Sequence, residues 1–412
     1  MQAQLPPSTL PARPRTRLLT FLGVTLTLQL YDMLTAILDG PYATAIALVI
    51  AGGFLAGILF IRRQIKQGAA PNTALMLNGF YVPSARTILL ILVALEILWI
   101  VMIVNHNALP CSWLDISRRV DGCIASFSHA EPVTTVSVSP DNALFATTQL
   151  DGTVQVWSMA EKQILWSKNI GGKLGPTLAF SPTDHLLAAG LEDGTVQLMS
   201  PATGAPIRSL TGATDSMLSV AFSPDGRLVA AGSADKTVRV WQVADGGLVN
   251  TFTGLHESAG TVAFSPDGTL LAAGEHRAVW VWSMPSGTLY TTFKHASLTE
   301  SIAFSPDGTL LAVGGWRGTV DVWNVRGREA LYTLHAMSER ASSVAFSPDG
   351  STIAVGGIAQ IVAGEVGLWR VEDGQELQTL RPRSYVYSIA WTPDGKQLLV
   401  TSHDAVELWN IK

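Results

Sequence analysis

Aspartate recurs at one position of a repeated turn sequence in this 412-residue chain. Five of these acids stand between Pro and Gly, 40 to 45 residues apart: Asp225, Asp267, Asp307, Asp349 and Asp394. Carboxylates that converge on one point could act as general acids or bind a metal ion. Here, however, each follows Ser-Pro or Thr-Pro, a composition in which Pro presets φ and Gly accepts a positive φ. The pattern therefore predicts tight turns rather than a catalytic set.

Two further carboxylates stand inside long apolar runs. Asp32 and Glu96 have no Lys or Arg within their runs to pair with. An acid inside a membrane-spanning helix is costly, which makes both residues candidates for transport or signalling chemistry. The alternative is that each is protonated, or hydrogen-bonded to a neighbouring helix or across a dimer.

Motifs for enzymatic chemistry are missing from the sequence. It has no nucleophile elbow, no phosphate-binding loop and no dinucleotide fingerprint. Its two cysteines, Cys111 and Cys123, have neither CxxC spacing nor a paired His, so they make no case for zinc. In an oxidising compartment they would form a disulfide, and the alternative is two unpaired thiols. We expect no catalytic residue, no metal and no cofactor.

The turn aspartates belong to a hairpin motif that occurs seven times. Its Ser or Thr recurs at spacings of 42, 42, 42, 40, 42 and 45 residues. Each copy reads as a short apolar strand, a turn and a second apolar strand, followed by a third strand that ends in Trp and by a fourth. The copies are VSVSPDN (136–142), LAFSPTD (178–184), VAFSPDG (220–226), VAFSPDG (262–268), IAFSPDG (302–308), VAFSPDG (344–350) and IAWTPDG (389–395).

This repeat resembles the WD-repeat β-propeller family, whose blades have about 40 to 45 residues and a Trp at the end of the third strand. The resemblance implies an all-β, seven-bladed propeller of four-stranded antiparallel blades over residues 122–412. It says less about function, because propellers include both binding platforms and enzymes. Met199 replaces the Trp in the second blade, and the other six blades have Trp157, Trp241, Trp282, Trp323, Trp369 and Trp409.

The hydrogen-bonded His, Ser or Thr, Asp and Trp set of that family is only fragmentary in this chain. The third blade keeps Ser233 and Asp235 but has no His at the expected place. The fourth and fifth blades keep His256 and His295 but lack the expected Asp. We therefore interpret each His as structural, and we expect apolar packing between blades to hold the ring together.

The seventh blade has no sequence for a fourth strand after VELWNIK. The segment before the first repeat, GCIASFSH at 122–129, has the pattern of the fourth strands elsewhere. We therefore expect residues 123–128 to complete the last blade, because such an overlap removes an open sheet edge.

Three apolar runs precede the repeats, at 18–38, 41–61 and 87–104. Each has about the length needed to cross a hydrocarbon core of ~30 Å. They predict an all-α transmembrane region of three helices over 18–104, with a tail at 1–17 and a linker at 105–121. Within the second run, Gly53 and Gly57 have GxxxG spacing, which favours helix packing or a homodimer through the transmembrane helices.

Basic residues predict how this region is oriented. Lys and Arg precede the first run and lie between the second and third, whereas the connection LDGPY has none. Positive segments stay inside, so the tail is predicted to be cytoplasmic and the propeller extracytoplasmic, in a multi-pass protein of the cell membrane. From residue 111 onward the chain has 20 Lys plus Arg and 29 Asp plus Glu. This negative charge is a poor match for nucleic acid.

One end of the predicted propeller has unusual loops. The turns between second and third strands contain Glu275, His276 and Arg277 in the fourth blade and Trp316 and Arg317 in the fifth. The sixth blade has an insertion there, IAQIVAG at 358–364. Trp and Arg are enriched at binding hot spots, so we expect a protein or peptide to dock on these residues. The alternative is that Trp316 packs on its own neighbours.

Three functions are compatible with the sequence. The first is a membrane-anchored, noncatalytic platform that binds or senses a protein or peptide. The second is a transport-associated or signal-transducing membrane protein that uses Asp32 and Glu96. The third is a propeller hydrolase with a site that no sequence motif marks.

Overall fold

A computed structural model describes residues 75–77, 80–82, 123–172, 177–183, 186–360 and 363–411. Strands β1 (Leu75–Leu77) and β2 (Phe80–Val82) form an antiparallel pair, in a different compact unit from the propeller. The three predicted transmembrane helices, with Asp32, Glu96 and the GxxxG pair, lie outside the described residues. Within the described ranges, no helix has the length and hydropathy needed to cross a membrane.

The rest of the described chain forms seven four-stranded antiparallel sheets. The first strands of successive blades lie beside one another, including those of the last and first blades, so the ring is closed. This confirms the seven-bladed propeller. The strands of blades one to four are β4 (Val133–Val138), β5 (Leu144–Gln149), β6 (Thr153–Ser158), β7 (Ile164–Asn169); β8 (Thr177–Phe180), β9 (Leu187–Gly190), β10 (Val196–Met199), β11 (Pro206–Leu210); β12 (Met217–Phe222), β13 (Leu228–Ser233), β14 (Val238–Gln242), β15 (Leu248–Phe252); and β16 (Thr261–Phe264), β17 (Leu270–Glu275), β18 (Ala278–Ser283), β19 (Thr288–Lys294).

The remaining blades follow the same order, and the seventh takes its fourth strand from the front of the repeat region. Their strands are β20 (Thr299–Phe304), β21 (Leu310–Gly315), β22 (Thr319–Asn324), β23 (Glu329–His335); β24 (Arg340–Phe346), β25 (Thr352–Gln360), β26 (Ala363–Arg370), β27 (Glu376–Leu380); and β28 (Ile389–Trp391), β29 (Gln397–Ser402), β30 (Ala405–Asn410), β3 (Cys123–Ser128).

The closing strand lies where the sequence predicts it. β3 pairs antiparallel with β30, in a register that sets Phe127 opposite Val406. The ring of Phe127 is fully buried, 4.7 Å from Phe145 and 5.4 Å from Trp157 of the first blade. The same strand therefore completes one blade and packs on the next, and the prediction for residues 123–128 is confirmed.

The repeated turns owe their shape to a buried hydroxyl. In the fourth blade, Ser265 donates to Asp267 at 2.6 Å and accepts the N–H of Leu270 at 2.9 Å, while Gly268 has φ of +69°. The Ser or Thr hydroxyl that donates to each carboxylate holds the pKa of the five repeated turn aspartates below its usual range. These acids form turns, as the sequence predicts.

Packing between blades joins them into one core. Leu271 and Ala273 on the second strand are buried beside Val240 and Phe252 of the preceding blade. Gly274 follows them, and a Cβ there would lie 2.7 Å from the side chain of Thr299 in the next blade. Small residues are thus required where two blades approach most closely.

Serine side chains add hydrogen bonds between the inner strands. Ser219 accepts the backbone N–H of Val262 in the next blade at 3.1 Å. Ser343 and Ser388 accept the corresponding N–H groups of the blades that follow them, the second of these across the closure of the ring. Polar contacts therefore supplement the apolar packing that the sequence predicts.

Candidate functional site

The two ends of the propeller carry different connections. We call the end with the SPDG turns the turn face. The other end, which we call the loop face, carries the turns between second and third strands and the connections between blades. The candidate residues lie on the loop face, in blades four to six.

Trp316 is half exposed, with 49% of its surface accessible, yet its indole is fixed. Its Nε1–H donates to a carboxylate oxygen of Glu300. Arg340 donates to the other oxygen of that carboxylate at 2.6 Å, and its guanidinium lies 5.8 Å from the centre of the indole ring. The three side chains form a connected set, which we call the Trp316 cluster.

The backbone around the cluster is held by neighbouring connections. Trp316 forms an isolated antiparallel bridge with Arg340, and its N–H donates to Leu298 at 3.0 Å. Gly318 takes a left-handed φ of +68° and its carbonyl accepts the N–H of Met337 at 2.9 Å. Both ends of the turn are therefore anchored to backbone in adjacent connections.

The turn that follows the indole exposes a cation. Arg317 has φ of +72° and an exposed side chain. His276 and Arg277 of the fourth blade are also exposed, and the carbonyl of His276 accepts the N–H of Thr299, the residue before Glu300. The structure thus links the fourth-blade turn to the Trp316 cluster.

The sixth-blade insertion at 358–364 is described at its two ends, 358–360 and 363–364. It lengthens the hairpin of β25 and β26, with a register shift between Ile358 and Gln360. Arg340 is paired with Ile358 in the sheet, so the base of the longer hairpin adjoins the cluster. The described parts of the unusual loops of three blades therefore adjoin one another, and docking of a partner on them stays a prediction.

Glu275 differs from the other predicted contact residues because its side chain is buried. Its carboxylate accepts the N–H of His256 at 2.8 Å and that of Glu257 at 3.3 Å. Burial works to raise the pKa of Glu275, but the interaction with the Trp280 indole, together with the two N–H groups and the His256 ring, outweighs it and holds the pKa below its usual range. This carboxylate orders a connection between blades and does not face solvent.

Two members of the cluster were missed by sequence reasoning. Glu300 precedes Trp316 by 16 residues and Arg340 follows it by 24. Each stands at the start of a first strand, in LTESIAF and SERASSVAF, where other blades show no common charge. Glu300 lies two residues before the apolar repeat of its blade and Arg340 four residues before that of the next blade, so no common offset marks the pair in the sequence.

Comparison with protein families agrees with the observed blades. A family model described as the IFT122 first beta-propeller matches residues 174–363, and one for the WD domain, G-beta repeat matches 121–158 and 374–410. Two stretches of the chain therefore match WD repeats, and the structure shows a seven-bladed propeller. No curated protein sequence is significantly similar to the chain.

Six of the seven blades of the propeller have the predicted Trp on the third strand, and its burial varies. Trp157, Trp241 and Trp409 are fully buried, Trp282 is 5% exposed, and Trp323 and Trp369 are partly exposed. Trp241 donates to the carbonyl of Thr211 at 3.1 Å.

The fifth blade corrects one interpretation of the sequence. His295 does have an aspartate partner: its Nδ1 lies 2.7 Å from Asp321, which stands on the third strand rather than in the preceding turn. Ser297 lies 3.0 Å from Nε2 of the same ring, and Thr333 donates to Asp321 at 2.6 Å. Sequence reasoning looked for the acid at the family's usual turn position and therefore missed it.

Ser297, His295 and Asp321 have the connectivity of a hydrolytic triad. However, His295 is 4% and Ser297 5% exposed. A Cβ on the adjacent Gly315 would lie 2.5 Å from the His295 ring and 2.6 Å from the Ser297 hydroxyl. The Ser297 hydroxyl and the His295 ring are thus packed against the backbone of Gly315, where they support the blade.

Other predicted groups are placed as follows. Among the described residues, no three His, Cys, Asp or Glu side chains are grouped as metal ligands. Asp235 of the third blade forms an ion pair with Arg239 at 2.7 Å. In this blade the aspartate therefore has an Arg partner, and the His of the family pattern is missing. Cys123 begins the closing strand, and because Cys111 lies outside the described residues, their disulfide stays a prediction.

Proposed function

We propose that this protein is a membrane-anchored, noncatalytic platform that binds another protein through the loop face of blades four to six. The observation that carries this proposal is the Trp316 cluster. A large aromatic side chain that remains half exposed while both its ring nitrogen and one ring face are engaged loses little conformational entropy on binding. Such fixed aromatic residues are typical binding hot spots.

The membrane part of the proposal is supported by the hydropathy of 18–38, 41–61 and 87–104. The third run is the strongest because 13 Ile, Leu or Val residues outweigh its single acid. The arrangement of Lys and Arg favours an extracytoplasmic propeller. A partner would then meet the loop face outside the cytoplasm.

Site-specific photo-crosslinking tests the platform. A photoreactive amino acid is placed at Arg317, or at Arg227 on the turn face, in the full-length protein within its native membrane. Arg227 is a matched control because its side chain is also exposed. We expect a discrete crosslinked protein from position 317 only. Equal products at both positions, or none at 317, would contradict the proposed face.

Removal of the hot-spot side chains gives the energetic test. We expect Trp316→Ala with Arg317→Ala to weaken capture of the crosslinked protein by about 1 to 4 kcal/mol. The melting temperature should stay nearly unchanged, because Arg317 is exposed, Trp316 is half exposed, and the pair of Glu300 and Arg340 remains in the variant. A large loss of stability with intact capture would show that these residues support the fold and do not bind.

A further inference from the structure

The loop face is divided by charge. Among the described residues of its turns and connections, those from the fourth-blade turn to the connection before the seventh blade expose four Arg and one acid. We call this region the basic half. Its exposed charges are Arg277, Arg317, Arg381, Arg383 and Glu339.

The opposite region, which we call the acidic half, has the reverse composition. From the connection before the first blade to the connection before the fourth, the described residues expose six acids and one Lys. These are Glu131, Asp151, Glu192, Asp193, Asp215, Glu257 and Lys236. Asp404 of the seventh blade is exposed and adjoins this region through its carbonyl, which accepts the N–H of His129.

The basic half keeps its positive charge available. Arg340 is neutralised within the Trp316 cluster, and Arg383 lies 3.9 Å from the buried Glu407. Arg277, Arg317 and Arg381 have no ion-pair partner within the described part of the chain. Exposed Arg residues are thus carried by the turns of the fourth and fifth blades and by the connection before the seventh, on a chain whose sequence is acidic as a whole.

We propose that the basic half binds an acidic peptide segment of a partner protein, with an apolar or proline side chain of that segment packed on the Trp316 indole. This inference rests on the proposed function and names the partner's chemistry. Complementary charge speeds encounter and selects orientation, whereas the fixed aromatic surface supplies affinity. The acidic half repels the same segment and so confines it to blades four to six.

The layout favours a short segment over other polyanions. A nucleic acid or an anionic membrane surface that covered the whole face would meet the acids of blades one to three. The lengthened hairpin of the sixth blade borders the basic half beside Trp316. A second copy of this chain, whose acidic half could contact the basic half, is the alternative that the experiment separates.

A peptide-display selection tests the proposal. A library of random 12-residue peptides is selected on the full-length protein in detergent micelles. Enriched peptides are then measured against Trp316→Ala and Arg277→Ala/Arg317→Ala, with Arg227→Ala/Arg326→Ala on the turn face as the charge-matched control. We expect enriched peptides rich in Asp and Glu with an aromatic, aliphatic or Pro residue. Their affinity should fall at least 10-fold in the first two variants and less than 2-fold in the control.

Each of the other outcomes shows which of the two proposals is wrong. Peptides that require Trp316 but carry no acidic excess would overturn the acidic partner and leave the docking platform standing. Peptides that bind all variants alike, or no enrichment over the Trp316→Ala protein, would overturn both proposals. Sedimentation of the same protein at low and high salt tests the alternative of a second copy. Self-association that Arg277→Ala/Arg317→Ala abolishes would show that the basic half binds another copy of this chain, and it would overturn the peptide proposal.

Discussion

Individual buried polar residues join particular strands of this fold to one another. The ring of His129 lies between the carbonyl of Phe127 and the hydroxyl of Thr147, at 2.9 Å from each. Burial lowers the pKa of His129 to about 4, against an ordinary value of 6.5. The residue therefore joins the closing strand to the first blade in its neutral form.

This shift predicts acid sensitivity. Between pH 6.5 and 4 the unfolded chain binds a proton at His129 that the folded chain does not. The contribution of the neutral His129 to the free energy of unfolding is therefore fully present above pH 6.5. It decreases as the pH falls toward 4, by about 3 kcal/mol in total. We expect the melting temperature of His129→Gln to fall less steeply over this range than that of the wild type. The exposed His276→Gln serves as control, and an unchanged slope in His129→Gln would show that the shift is absent.

Ser297 offers a residue-scale test of the hydrolase alternative. Because its hydroxyl is buried against His295, we expect Ser297→Ala to lower the free energy of unfolding by about 1 to 3 kcal/mol. The full-length protein should not be labelled at Ser297 by a fluorophosphonate. Denaturant unfolding and mass spectrometry measure the two results, with the exposed Ser286→Ala as control. Labelling that Ser297→Ala abolishes would establish a reactive serine and contradict a purely structural role.

Single strands decide whether the ring is stable. β3 provides the fourth strand of the seventh blade and covers Trp157 of the first. Without β3 the edge of β30 is open, and the aromatic core of the first blade loses Phe127. The stability of the whole propeller therefore depends on a six-residue segment far from its pairing partner in sequence.

Truncation tests this dependence. A chain that begins at Glu131 lacks β3, whereas one that begins at Trp113 retains it. We expect the first to lose cooperative unfolding, or to aggregate through the exposed edge, and the second to melt in one cooperative transition. Circular dichroism and light scattering report both results. Equal thermal stability of the two chains would show that β3 is dispensable.

The outer strands share a feature that limits association at their edges. Opposite the Trp position of the third strand, the fourth strand skips one residue. The skipped residues include Leu165, Val249 and Leu331, whose side chains are 45%, 40% and 46% exposed. Bulges twist an edge strand and interrupt its hydrogen-bonding pattern, which opposes pairing with another chain.

At the scale of the whole molecule, orientation in the membrane determines which partners are accessible. A reporter that is active only outside the cytoplasm, fused after Lys412, should be active if three helices span with the tail inside. If Asp32 keeps the first run from spanning, the number of crossings falls to two, and a tail that stays inside would then place the propeller in the cytoplasm. Activity of a reporter that works only in the cytoplasm, fused at the same point, would reverse the assignment.

The sequence alone determines the number of blades, the turns, the closing strand and the end of the propeller with unusual loops. These features rest on local chemistry repeated at a constant period. Ser265, Asp267 and Gly268 form a turn whatever lies around them, and the pattern of 123–128 matches the other fourth strands. Because the same contacts between residues close in sequence recur in each blade, the interpretation of one repeat applies to the others.

Only the tertiary structure decides which distant side chains meet. Trp316, Glu300 and Arg340 come from two neighbouring blades, and the burial of Glu275 and the partnership of His295 with Asp321 depend on how connections fold over the sheets. The division of charge on the loop face also arises only when the blades close into a ring. Contacts between blades depend on their relative position, which no single repeat encodes.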